Sequence, residues 1–162
     1  MIVLDANILL YAYNADAPEH KPARRWLNGR LEGPDWIGLP WLTIWAFLRI
    51  STNPRLFPRP LTVDESFSIV RAWLASPRVV VVEPGPRHGE LLEELVRANQ
   101  AAGPLVTDAA LASIAKEHGA SLVSTDRDFA RFSDLDWLNP LAAPTPTSQV
   151  PRRIRPTGLD SR

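Results

Sequence analysis

The sequence predicts an α/β protein built on a mostly parallel central sheet. Three observations carry this. The runs Ile2-Val3-Leu4, Val79 to Val82 and Ser121 to Thr125 lack the polar alternation of half-wet strands, so they read as strands buried on both faces. Stretches with helical spacing separate these runs, as in a chain that builds βαβ units. Acids also stand where strands end, Asp5 after the first and Asp126 after the fourth. In an open parallel sheet that edge is where ligands bind.

The elements follow in order. Ile2 to Leu4 is the first strand, and "NILLYAY" after it is a helix. Pro18 introduces "EHKPARRWLNGRLEG", a surface helix with Trp26, Leu27 and Leu31 inward and Gly33 as its stop. "WIGLP" is the second strand. Pro40 suits the first turn of the helix "WLTIWAFLRIS", which ends before Asn53-Pro54. Thr62 and Glu65 form a capping box for "VDESFSIVRAWLAS". Val79 to Val82 is the third strand. "RHGELLEELVRANQAAG" places Leu91, Leu95 and Ala98 on one stripe, with Glu93 and Arg97 paired on the wet side. "VTDAALASIAKEHG" is an Ala-rich helix with Leu111, Ile114 and Ala115 inward and Gly119 as its cap. "SLVST" is the fourth strand, "RDFARF" a short helix and "LDWL" a last strand.

At 162 residues, one domain is expected. After Asn139 the chain is rich in proline and arginine and has no apolar stripe, so residues 142–162 are expected to form a disordered basic tail. Lys+Arg and Asp+Glu are 18 each, so overall charge selects no class of partner. Its distribution is uneven, with a net +3 beyond Asn139 and −3 before it. There is no cysteine, which excludes disulfides and thiolate metal sites. The apolar start is interrupted by Asp5 and Asn7 and has no basic leader. It makes a poor signal peptide or membrane span, and a cytoplasmic protein is the default.

Asp5, Asp108 and Asp126 are the candidate site, with Asp128 two residues beyond. Each has a plainer use at the start of a helix, where Asp caps free N–H groups and meets the positive end of the dipole. Together, three or four carboxylates at one edge repel one another and need a cation. Oxygen ligands without cysteine, and histidines (20, 88, 118) without zinc spacing, suit Mg²⁺ or Mn²⁺. A carboxylate-held ion at a sheet edge, with no phosphate-cradling glycine loop, suggests phosphodiester hydrolysis.

The segments "MIVLDANILLYAYN", "AFLRISTNPRLF", "VTDAALASIAKEHGASLVSTDRDFARF" and "WLNPL" resemble the PIN domain. More narrowly they resemble the VapC-type ribonuclease toxins of bacterial toxin–antitoxin pairs. The resemblance covers residues 1–141, most specifically from Asp108 to Phe132. It implies a three-layer α/β/α sandwich, Mg²⁺-dependent RNA cleavage, a VapB-type antitoxin as partner, and a homodimer or larger assembly. Position by position, the family acids fall on Asp5, Asp108 and Asp126 as metal ligands, and Asp128 matches a further acid. Asn7 and Thr125 are orienting candidates, and Arg49 matches a helix arginine. The family's second acid is absent, because Ala46 stands where glutamate is usual. Ala46 and Arg49, three apart, are expected to share the face turned to the site.

Sixteen of the 18 basic residues are arginine, which suits phosphate contact. Arg49, Arg55, Arg59 and Arg127 are expected at the site or its rim, and the tail adds attraction to RNA. The helix holding Trp41 and Trp45 is apolar nearly all round, which reads mainly as core and partly as interface. Two other functions compete. A catalytically weak or silent PIN module would follow from Ala46. A HAD-like phosphatase would use Asp5 as nucleophile, but needs an acid where Asn7 stands.

Overall fold

The computed structural model describes residues 1–142. The expected tail therefore lies, from residue 143 on, outside the described residues. Five strands, β1 (Ile2–Leu4), β2 (Ile37–Gly38), β3 (Val79–Val80), β4 (Ser121–Val123) and β5 (Trp137–Leu138), form one sheet in the order β3-β2-β1-β4-β5. Every pairing is parallel, so the sheet is more regular than the expected mostly parallel one. The helices are α1 (Ala6–Tyr13), α2 (His20–Glu32), α3 (Trp41–Ser51), α4 (Val63–Leu74), α5 (His88–Ala98) and α6 (Pro104–Glu117). A 3₁₀ turn follows β4 at Arg127–Arg131.

The pleat sorts side chains into two cores. Leu4, Ile37 and Val123 face one side, where Ile8, Leu9, Leu27, Ile44, Phe47 and Trp73 of α1 to α4 cover them. Val3 and Leu122 face the other, under Leu95, Leu111, Ile114, Phe129 and Phe132. This makes the three layers. Completely burying a side chain such as Phe47 or Leu122 contributes about 1.5–3 kcal/mol, so the two cores hold the sheet edge in place.

Local signals explain most boundaries. Thr62 and Glu65 close the capping box on α4, and Glu93 pairs with Arg97 at 2.7 Å. Gly119 takes φ 57 after α6, with the Ala120 N–H returning to the Ala115 carbonyl. Three expectations change. Pro40 is not inside α3; it caps the helix with an extended ψ of 149. Ala98 is exposed, and Leu92 and Val96 complete the stripe of α5 instead. α6 begins at Pro104, behind Gly103 at φ 56. Proline fits the first turn because its missing N–H would have had no partner there.

Among the described residues, no helix is long and apolar enough to cross a membrane.

Candidate active site

The strand order reverses between β1 and β4. β1 leads outward to β2 and β3, while β4 and β5 lie on its other side. Loops leaving neighbouring strands in opposite directions open a crevice at their carboxyl ends. Asp5 ends β1 there, and Ser124 to Asp128 leave β4 there. α6 enters the same edge from the second layer and carries Asp108.

Ser124 organises the crevice, and the sequence reading passed over it. It is completely buried. Its Oγ donates to Asp5 Oδ2 (2.7 Å) and accepts from Asn7 Nδ2 (2.8 Å) and from the Asp126 N–H (3.0 Å). One donor and two acceptors are all that a hydroxyl has, so this serine is fully used. Its carbonyl accepts from Trp137 Nε1 at 3.0 Å. A serine after a strand is an ordinary turn residue in sequence, and only the pairing of β1 with β4 gives it this place.

Asn7 takes an orienting position: its Oδ1 accepts the Thr125 N–H at 3.3 Å while its amide holds Ser124. Thr125 takes part through its backbone. With both ends of Asn7 engaged, the acid that a HAD-like phosphatase needs is replaced by a clip between β1 and β4.

The acids divide by their hydrogen bonds. Asp5 caps α1, its Oδ1 accepting the Ala6 N–H at 2.6 Å. Asp126 caps the 3₁₀ turn, accepting the Asp128 N–H at 2.9 Å. Asp108 is no cap, a correction to the expected helix-start position. Because α6 starts at Pro104, it lies in the second turn, past the free N–H groups. Burial, and then the charges of Asp126, Asp5 and Asp128, push its carboxyl up to about 6. Burial also raises Asp5, against the hydrogen bonds from Ser124 and Ala6 and with a further push from Asp126. Asp128 is outermost; its side chain is 59% exposed and lies 3.9 Å from Arg131.

Asp5 and Asp108 share a cavity of about 50 Å³ with Thr43, Ala46 and Thr107. Thr43 donates to the Leu4 carbonyl at 2.7 Å, which fixes α3 against the end of β1 and turns Ala46, one helical turn on, into the cavity. Arg49 is exposed and does not line it. Arg59 is paired with Asp16 beside a different cavity of about 190 Å³, between Tyr13, Phe47 and Phe57. Arg55 and Arg127 are exposed. The face of α3 expected to be mainly core leaves Trp41 at 38% and Trp45 at 62% exposure.

The donor set fits a hard cation. It is all oxygen, and among the described residues nothing offsets burial and like charge at Asp108. Among the described residues, no three acidic or histidine side chains already stand at metal-holding spacing. A cation would have to draw these carboxylates in.

The model of the PIN domain matches residues 2–135, and the chain belongs to that family. Within it, the chain is 44% identical over 142 residues to Ribonuclease VapC37 of Mycobacterium tuberculosis, across 88% of this chain and 99% of the relative. The chain is thus of the VapC type. Its fold is similar to VapBC-1 from nontypeable Haemophilus influenzae, with a TM-score of 0.63 and 20% identity over 86% of this chain and 98% of that one. VapBC2 from Rickettsia felis, bound to a DNA fragment from their promoter, gives 0.62 and 21% over the same shares. PIN-domain ribonucleases generally use divalent metals.

Proposed function

We propose that this chain is an Mg²⁺-dependent endoribonuclease, with Mn²⁺ as an alternative ion, and the toxin of a VapBC-type pair. The observation that carries this reading is Asp108, an acid without hydrogen-bond donors among the described residues, raised by burial and then by three neighbouring carboxylates in a cavity shared with Asp5. Asp5, Asp108 and Asp126 would hold the ion, and Asp128 would assist. The chemistry such an ion supplies when bound is activation of water and neutralisation of charge developing on the phosphate. The protein's own part is positional. Ser124 and Ala6 fix both oxygens of Asp5, the Asp128 N–H fixes Asp126, and Asn7 locks the two strand ends together. Asp108 stays free to accept either a proton or a cation.

The working unit is residues 1–141, with residues 142–162 appended, in a cytoplasmic enzyme that meets RNA there. A VapB-type antitoxin is the expected inhibitor, as the VapBC complexes of similar fold support. The exposed Trp41 and Trp45 offer a face for the antitoxin or for a second copy in a homodimer.

Ala46 favours a second reading, a weak or silent module, because a methyl group lines the cavity where the resemblance places a carboxylate. One experiment separates the two. Purified protein is incubated with tRNA and single-stranded RNA, with Mg²⁺ or with chelator, beside Asp126→Asn. Cleavage that needs metal and is lost in the variant supports the enzyme. RNA binding without cleavage supports the silent module.

A further inference from the structure

We propose that the cavity of about 190 Å³ at the far ends of α1 and α3 is a pocket for one unstacked base of the RNA strand, with a preference for bases that carry an amino group. This rests on the ribonuclease reading given above, whose substrate it specifies.

The first observation is an unmet hydroxyl. Ser51 is only 6% exposed and lines the cavity, and its Oγ has no hydrogen-bond partner among the described residues. Serine and threonine inside helices often turn back to a carbonyl of the preceding turn, as Thr52 does to Leu48 at 2.7 Å and Ser113 to Ala109 at 2.8 Å. Ser51 makes no such bond and keeps a donor and two acceptor sites for an occupant. A buried polar group without a partner is disfavoured, and a ligand that reaches Ser51 relieves it.

The second is the chemistry of the walls. Tyr13, Phe47 and Phe57 supply aromatic faces, and Asp16 and Arg59 stand at the rim as an ion pair. The Leu61 N–H, donating to the Ser51 carbonyl at 2.9 Å, holds the loop that carries Phe57 and Arg59 against the cavity. The volume lies below the roughly 300–1,000 Å³ of sites for drug-sized ligands, so it takes one ring system and no folded segment. An exposed ion pair holds weakly, which leaves Arg59 to a phosphate and Asp16 to an amino group. Single-stranded RNA is recognised in this way, by stacking on aromatic rings and hydrogen bonds to base edges. A carboxylate accepts from the amino groups of adenine and cytosine and finds none on uracil. Arg24, 4.3 Å from the centre of the Tyr13 ring, and the exposed Arg55 add positive charge that suits a strand of phosphates.

The third is position. α1 begins at the Asp5 cap and ends at Tyr13. On α3, Thr43, Phe47 and Ser51 are spaced four apart and form one buried stripe. Thr43 lines the cavity of the acids and Ser51 lines this one. Both helices therefore run from one cavity toward the other, about 12 Å along the axis. A few nucleotides of single strand cover that distance.

The test measures, by anisotropy in metal-free buffer, the affinity of fluorescent single-stranded octamers of A, of C and of U for the full chain and three variants. Wild type should bind the A and C octamers roughly tenfold more tightly than U. Asp16→Ala, at an exposed position, should erase that preference. Phe57→Ala should weaken every octamer by about tenfold or more through lost stacking. Ser51→Ala should weaken the A and C octamers about threefold while its melting temperature holds or rises, which a merely structural serine would not show. Adenosine 5′-monophosphate should compete with the A octamer for wild type and not for Phe57→Ala. Equal affinity for all three octamers, or Asp16→Ala and Ser51→Ala both binding as wild type does, would overturn the pocket and leave a cavity for water. Competition by N-acetyltryptophanamide without competition by the nucleotide would overturn it too, and would assign the cavity to a protein side chain. A wild type that shows the base preference but cuts no RNA with Mg²⁺ would sink the ribonuclease reading alone.

Discussion

Helix α6 carries two carboxylates, nine residues apart, that are treated in opposite ways. Glu117, at its C-terminal end, accepts the backbone N–H groups of Gly85 and Arg87, both at 2.8 Å. Burial opposes its charge, but these bonds and the nearby His88 and His118 outweigh it and lower its pKa. Asp108, near the other end, has burial and three like charges against it and, among the described residues, nothing in its favour. One acid is part of the fold. The other is held at a cost to the fold, which proteins accept where an acid has chemical work to do.

The largest expected effects come from breaking that contrast. Asp108→Asn should reduce metal-dependent RNA cleavage by at least about a hundredfold, in line with losing a group that stabilises transition-state charge. The same change should raise the melting temperature of the metal-free protein. Glu117→Gln should do the reverse, lowering the melting temperature by weakening the cap on residues 85–87 while leaving kcat nearly unchanged. If both variants lose stability and both keep activity, the two carboxylates are alike and the contrast is false.

Much of this site is legible in the sequence. β1 with Asp5 and β4 with Asp126 announce themselves by apolar runs followed by acid, but that the two strands are neighbours comes from the sheet order. The start of α6 was also written in the chain, at Gly103-Pro104. Missing that signal turns Asp108 into a cap. Ser124 was not legible, because its importance arises from a pairing between residues more than a hundred apart in the chain. β2 and β3 pair over only two residues each, too short for an alternation pattern to set their ends. The exposure of Trp41 and Trp45 was hidden for a related reason: an apolar helix does not say which of its faces lacks a partner.

Ser124→Ala sharpens the comparison from the side of Asp5. It removes the donor to Asp5 and takes their acceptor from the part-buried Asn7 amide and Asp126 N–H, each a loss of up to about 1–3 kcal/mol. The melting temperature should fall, and cleavage should fall with less change in KM than in kcat. An active, equally stable variant would show that Asp5 needs no such support.

Ala46→Glu adds the missing acid to the cavity beside Asp5 and Asp108. Without metal it should lower stability, because another negative charge joins an uncompensated group. With Mg²⁺ it should bind metal more tightly and raise cleavage, as expected if a second ion then assists. Unchanged metal dependence and unchanged cleavage would mean that a glutamate at this position reaches no metal.

A smaller effect is expected from pH. Asp108 has its folded pKa raised to about 6, so the native state takes up its proton more readily than the unfolded chain. Its contribution then favours folding at low pH and is lost as pH rises through about 6. For a partly exposed carboxylate, solvent screening leaves this on the order of 1 kcal/mol. Metal-free wild type should lose that increment between the ordinary carboxyl value of 3.8 and about 6, relative to Asp108→Asn, in paired denaturant titrations.

The central claim, that the acids at the β1–β4 switch point form a metal site, is tested most directly by the melting temperature of wild type and Asp108→Asn with and without Mg²⁺. At a hundredfold excess over its dissociation constant, an ion bound only by the folded state contributes about 2.7 kcal/mol, a rise of roughly 5 °C or more for a chain of this size. Wild type should show that rise. The variant should start higher and move little. A wild-type melting temperature unmoved by Mg²⁺ and by Mn²⁺ would contradict the account.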